Sequence, residues 1–259
     1  MPATYLDSIL QHHRERAAND SRSLDGLVAQ ARACLPPRGF VSAIRSTPHL
    51  AVIAEFKRRS PSKGLLNGSM QPDDVARMYQ SGGATCLSVL TDEHHFGGSV
   101  SDLQAARNAC DLPVIRKDFT VDARDVCDAR IMGADCVLLI AAALSPGEMS
   151  EFLSLARTID IDALVEVHDE NELAVALDAG ATLLGVNQRD LVTFSVDHER
   201  AVRMGSAIPD TCVKVAESGV RGVGDAASLR SAGYHAVLVG EHLVTSADPV
   251  AAVTELCVP

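Results

Sequence analysis

Apolar residues fall along this chain in short continuous blocks, not in alternation. Eight blocks predict strands buried on both faces: Ala51–Phe56, Ala84–Val89, Pro113–Arg116, Ala134–Ile140, Asp162–Val167, Ala181–Val186, Thr211–Ala216 and His235–Val239. The segments between them carry helical spacing. From Asp122 to Ile131, for example, Val121, Val126, Ala129 and Ile131 make one apolar stripe on an otherwise charged stretch. Strand and helix alternating through one chain predict a parallel α/β sheet.

A repeat points to closure of that sheet. Gly83-Ala84, Gly133-Ala134, Gly180-Ala181 and Gly233-Tyr234 each precede every second strand, with the glycine as a left-handed helix cap. The other strands are entered through Pro48-His49-Leu50, Asp111-Leu112-Pro113, Asp160-Ile161-Asp162 and Ile208-Pro209-Asp210, so four two-strand units are expected. Eight strands in four units fit a (β/α)8 TIM barrel better than an open doubly wound sheet, and the G-x-G-x-x-G turn of the latter is missing after the first strand. Residues 1–48 read as an N-terminal helical extension, with helices at Leu6–Ala18 and Leu24–Ala33, able to cap the barrel bottom or fold over its mouth. Residues 1–259 are expected to form a single domain.

Bulk properties narrow the partners. The chain has 259 residues, 47% hydrophobic and 22% charged, enough for a large core. A formal net charge of -11 argues against coating nucleic acid or an anionic membrane, so any anion must be held by a local positive cluster. The seven cysteines show no C-x-x-C pair and read as small buried hydrophobes of a reducing compartment. The first twenty residues mix Asp, His, Arg and Glu, and the longest apolar run, Cys136–Leu144, is too short to span a bilayer. A cytoplasmic protein is expected, with a small ligand. The pairs His12-His13 and His94-His95 fit no helical or strand metal face and read as surface or loop residues.

The chemistry is expected at the strand C-termini, which converge on one face of such a barrel. The first strand runs into Glu55 and Lys57, on one side of the strand because side chains alternate, and then into a Ser/Pro/Gly loop. Lys117 follows the third strand, Glu166 lies in the fifth, Asn187 and Arg189 follow the sixth, and Glu217 and Ser218 follow the seventh. Each alone reads equally well as a solvated strand end. Together they deliver mutually perturbing acids and bases to one mouth. Gly219, the glycine-rich start of the next helix, and Gly240-Glu241-His242 after the eighth strand sit where such barrels cradle phosphate on backbone N–H groups.

These residues resemble the indole-3-glycerol phosphate synthase family over nearly the whole chain. The likeness is carried by Glu55-Phe-Lys-Arg-Arg-Ser-Pro-Ser-Lys-Gly, Ser88-Val-Leu-Thr-Asp, Phe96-Gly-Gly-Ser, Pro113-Val-Ile-Arg-Lys-Asp-Phe119, Leu138-Leu-Ile-Ala-Ala, Leu164-Val-Glu-Val-His, Gly185-Val-Asn-Gln-Arg-Asp-Leu191, Ala216-Glu-Ser-Gly219 and Val239-Gly-Glu241. The resemblance implies a carboxy-lyase of tryptophan biosynthesis that closes an indole ring from 1-(2-carboxyphenylamino)-1-deoxyribulose 5-phosphate, releasing carbon dioxide and water, with no metal or organic cofactor. It makes Lys117 the general acid, Glu166 the general base, and Lys57 a proton-transfer residue near the substrate carboxylate and phosphate. Glu55, Asn187, Glu217 and Ser218 orient these groups. Ser60, Phe96, Phe119, Arg189, Gly219, Gly240 and Glu241 are expected to bind substrate, and Pro61 and Leu138 are further candidates for the apolar bed. A sugar phosphate is the implied partner, the chain acting as a monomer or weak homo-oligomer.

Clustering with Lys57 is expected to make Lys117 give up its proton more readily. Three departures from the family pattern stand out: His95 in place of an aromatic residue, Gln188 in place of asparagine, and His242 where a small residue is usual. Two alternatives are another phosphate-binding barrel, such as a phosphoribosylanthranilate isomerase or a ribulose-phosphate epimerase, and a barrel that binds phosphate without catalysis. Two strand-end lysines exceed what the isomerase needs, the epimerase calls for metal ligands that the sequence does not offer, and the complete acid–base set speaks against the non-catalytic barrel.

Overall fold

A computed structural model describes residues 5–60, 64–65, 70–190 and 192–259. Eight parallel strands close into a barrel: β1 (Ala51–Phe56), β2 (Cys86–Leu90), β3 (Val114–Lys117), β4 (Cys136–Ile140), β5 (Asp162–Val167), β6 (Leu183–Asn187), β7 (Val213–Glu217) and β8 (Ala236–Val239). β1 pairs with both β2 and β8, which completes the ring. Several strands run one residue further than their apolar blocks. Lys117 pairs with Leu90, and Asn187 with Glu217, as strand members. A backbone ladder does not end where apolarity ends when the next residue can still pair, so polar residues expected after the strands are held by them.

Alternation sorts each strand. Val52 and Ala54 face the outer core under the helices, whereas Ala51 and Ile53 pack with Ile115, Leu164, Val213 and Val215 inside the barrel. Counting on by two along the inward rows gives Glu55, Lys117, Glu166 and Glu217. The interior is thus apolar in its lower layers and charged in its top layer, at the C-terminal mouth.

Gly83, Gly133, Gly180 and Gly233 all adopt left-handed backbone, with φ of 92°, 102°, 84° and 87°. Each ends a helix and turns the chain into a strand, as the repeat predicted.

The N-terminal extension serves both ends of the barrel. Helix α1 (Tyr5–Ala18) reaches over the mouth, where Tyr5, Leu6 and Ile9 line the pocket. Helix α2 (Leu24–Ala33) runs down the side against the helix Ala123–Ile131, and Arg22 pairs with Asp128 at 2.7 Å. Helix α3 (Phe40–Ser46) closes the bottom: Phe40 and Ile44 join the inner core, and the Val41 amide donates to Asp162 Oδ2 at 2.9 Å.

All seven cysteines are free, five of them buried, and Cys34 and Cys257 are half-buried. Among the described residues, no helix is long and apolar enough to cross a membrane. The histidine reading needs correction. His13 is 3% exposed and its Nε2 lies 2.9 Å from Asp92 Oδ2, because the α1 stripe that faces the barrel carries it inward.

Candidate active site

All eight strands and the loops after them surround one pocket, roofed by α1. Glu55, Lys57, Lys117, Glu166, Asn187, Glu217 and Ser218 all line it, together with Phe96, Phe119, Leu138, Arg189, Gly219, Gly240 and Glu241. Ser60 closes a two-residue strand paired with Gly64, and its side chain lies outside the described residues, as do Pro61, Ser62, Lys63 and Leu191.

Two ion pairs organise the floor. Lys57 Nζ is 2.8 Å from Glu55 Oε1, and Ser88 donates to the other Glu55 oxygen at 3.4 Å. Lys117 Nζ stands between two carboxylates, 3.6 Å from Glu166 Oε2 and 3.8 Å from Glu217 Oε2. Asn187 Nδ2 donates to Glu166 Oε1 at 3.0 Å, and His168 Nε2 lies 3.5 Å from the same oxygen. Two glycines make the room. A Cβ on Gly185 would collide with the Glu217 carboxylate, and one on Gly240 with that of Glu55.

Burial and charge set the titration of the three buried carboxyls in two opposite directions. Burial disfavours charge on Glu166, yet Lys117, His168 and the Asn187 amide outweigh it and hold the carboxyl below its ordinary value. Glu217, just as buried, is pushed well above that value by desolvation and by neighbouring Glu166, against the weaker pull of Lys117. Glu55 resembles Glu166: desolvation opposes its charge, but Lys57 and Lys117 prevail. The surroundings thus favour the charged form of Glu166 and Glu55 and the neutral form of Glu217.

Lys117 departs from the expectation. Burial alone would ease loss of its proton, but Glu166, Glu217 and Glu55 more than offset it and raise its pKa. The attraction of three carboxyl groups prevails, so Lys117 keeps its proton more tightly than a free lysine.

Several lining residues carried no separable signal in the sequence. Leu6 and Ile9 read only as helix, and nothing singled out Tyr5 or Phe194, the latter with a left-handed φ of 59°. His168 could have been found, because it stands two positions beyond Glu166 and continues that inward row. Its Nδ1 and backbone N–H meet Glu172 Oε2 at 3.1 and 2.7 Å, which aims Nε2 at Glu166. His242 lines the pocket with a buried Nε2 that lacks a partner, so it does not swing out into solvent. Gln188 Nε2 donates to the Ser218 carbonyl at 2.8 Å, bracing the left-handed turn formed by Ser218 (φ 66°) and Gly219 (φ 75°). The one set of metal-type donors among the described residues, His13, Asp92 and His95, lies beside this floor and not in it.

Two ends of the pocket, one rich in glycine and polar groups and one aromatic, are opposed. Ser218, Gly219, Gly240 and His242 lie on the β7–β8 side, with Arg189 Nη2 3.8 Å from Glu241 Oε2. Phe96 and Phe119 face each other on the β2–β3 side, ring centroids 6.2 Å apart.

The family model for indole-3-glycerol phosphate synthase matches residues 6–256. Indole-3-glycerol phosphate synthase 2 of Streptomyces coelicolor is 50% identical over 239 residues, 92% of this chain and 91% of that protein. The synthase of Mycobacterium avium is 47% identical over 257 residues, 98% of this chain and 94% of its own length. Among solved structures, a 3-hexulose-6-phosphate synthase superposes with a TM-score of 0.62 at 16% identity, over 80% of this chain and 97% of that one, a likeness of fold alone. The chain belongs to the indole-3-glycerol phosphate synthase family.

Proposed function

We propose that the pocket closes the indole ring of 1-(2-carboxyphenylamino)-1-deoxyribulose 5-phosphate, with Lys117 as general acid, Glu166 as general base and Lys57 as a second proton donor. The observation that carries this reading is the Lys117 ammonium held between Glu166 and Glu217 above the apolar interior of the barrel. When the ring carbon bearing the carboxylate attacks the ribulose carbonyl, negative charge grows on oxygen. An ammonium fixed there stabilises it without reorganisation. Because its neighbours raise the Lys117 pKa, the proton transfers late, when the oxygen has become a strongly basic alkoxide.

Carbon dioxide then leaves and the ring regains aromaticity. For dehydration, Lys57 gives a proton to the departing hydroxyl while Glu166, kept ionised by its neighbours, takes one from carbon or nitrogen. Two protons are given and one is taken, so each turnover consumes one proton from solvent. Glu217, neutral, accepts or donates a hydrogen bond without adding charge. Glu55 holds Lys57, Asn187 orients Glu166, and Ser218 meets a substrate hydroxyl.

Phe96, Phe119 and Leu138 form the bed for the benzoate ring. Ser60, Arg189, Gly219, Gly240 and Glu241 complete the phosphate and sugar contacts, and His242 contributes a ring N–H where a small residue would leave space. The acidic balance favours a cytoplasmic protein of one barrel domain, working as a monomer or weak homo-oligomer without nucleic acid or membrane partners. The chain has no Trp, so indole emission on adding this substrate to the purified protein reads product directly. No emission, with substrate shown to bind, would favour a non-catalytic barrel.

A further inference from the structure

Four histidines meet where α1 crosses the loop after β2. His12 and His13 come from α1, and His94 and His95 from the short helix Glu93–Phe96. The outer rings of His12 and His94 stack with centroids 4.9 Å apart. The inner two converge on one carboxylate oxygen: His13 Nε2 lies 2.9 Å and His95 Nδ1 3.2 Å from Asp92 Oδ2, and all three donor atoms lie within 4.8 Å of one another.

From this geometry we infer a site for one divalent transition-metal ion, of the zinc, cobalt or nickel class, held by His13, Asp92 and His95. A tetrahedral ion with bonds of about 2.0–2.2 Å separates its ligand atoms by roughly 3.4 Å, close to the spacings seen. Two imidazoles and a carboxylate select such ions over magnesium or calcium, which prefer all-oxygen shells. Asp92 is already oriented for the task. Its Oδ1 accepts the His95 and Phe96 amides at 2.6 and 3.1 Å, which turns Oδ2 toward the rings. Asp118 Oδ1, 3.9 Å from His13 Nε2, or water supplies the fourth position.

One feature limits affinity. With the ion on Nε2, His13 must carry its proton on Nδ1, which is buried without an acceptor among the described residues. That weakens binding roughly tenfold to a hundredfold, so micromolar affinity is expected. The consequence reaches the pocket, because His13 packs against Phe119 with centroids 5.5 Å apart and α1 supplies Tyr5, Leu6 and Ile9 to the roof. A bound ion clamps that roof to the aromatic wall.

The test is calorimetric titration of the full chain with zinc chloride, with melting followed in parallel and cobalt spectra reporting the ligand set. One ion per chain is expected, with a micromolar Kd and a rise in Tm of about 5–10 °C at a hundredfold excess over Kd. His95→Ala and Asp92→Asn each weaken binding at least about tenfold, and Asp92→Asn keeps the helix cap because Asn caps as well as Asp. His94→Ala binds like wild type. Absence of binding at about 1 mM zinc, equal binding by His95→Ala, Asp92→Asn and wild type, thiolate-type cobalt bands, or loss of binding in His94→Ala would each overturn the site.

Discussion

His168 Nε2 lies 3.5 Å from Glu166 Oε1, while its Nδ1 is anchored on Glu172 Oε2 at 3.1 Å. The imidazole is half-buried, which disfavours its charge, yet Glu172 and Glu166 outweigh that and raise its pKa. Arg200 is the opposing charge nearby. A positive or proton-donating ring is thus placed against the carboxylate assigned as base.

Removing that ring should raise the Glu166 pKa, since one of the groups favouring its ionised form is lost. In His168→Gln the acid limb of kcat against pH is expected to move upward by about 0.5–1 unit, with the plateau within about threefold of wild type. A merely structural loss would instead scale kcat equally at every pH.

Glu217 gives a prediction of opposite sign. Its folded pKa lies above its unfolded one, so folding takes up a proton and its contribution to stability falls as pH rises from the unfolded value through the folded one. Glu217→Gln removes that dependence. Denaturant unfolding should find the variant more stable than wild type by on the order of 1–2 kcal/mol at pH 8, with the difference shrinking toward pH 4. Equal pH dependence in the two proteins would show that Glu217 is ionised in the folded state.

Gly240 tests the need for space. Its φ of -118° suits any residue, so strain plays no part, but an added Cβ meets the Glu55 carboxylate and approaches Lys57 Nζ at 3.1 Å. Gly240→Ala should displace that ion pair, lowering kcat/KM at least about tenfold and stability by about 1–3 kcal/mol. Unchanged kinetics would show that the Glu55–Lys57 geometry is not required.

Much of this was legible in the chain. Continuous apolar blocks mark the strands because both faces of each are covered, and the glycine repeat marks helix ends because only glycine enters the left-handed region without strain. Lys117, Glu166 and Glu217 were visible as charges at the ends of buried rows. Less visible was anything that depends on distance between elements. The His13–Asp92 contact joins positions 79 apart, and no periodicity in either segment encodes it. The raised pKa of Lys117 likewise depends on three carboxyls from three strands, which sequence lists but cannot rank by proximity. Four strand ends were read one residue short, and for Lys117, Asn187 and Glu217 the reason is related: a polar residue can still pair in a ladder if the barrel gives its side chain a partner.

The central claim is that Lys117 and Glu166 perform the proton transfers in one pocket, and kcat under saturating carboxyphenylamino-deoxyribulose phosphate tests it most directly. Lys117→Ala and Glu166→Gln are each expected to lower kcat by about 10²–10⁴-fold with KM changed far less. Lys117→Ala should also lose stability more at pH 8 than at pH 5, because Glu166 is left buried without its ammonium partner when ionised. Wild-type kcat in either folded variant would contradict the account.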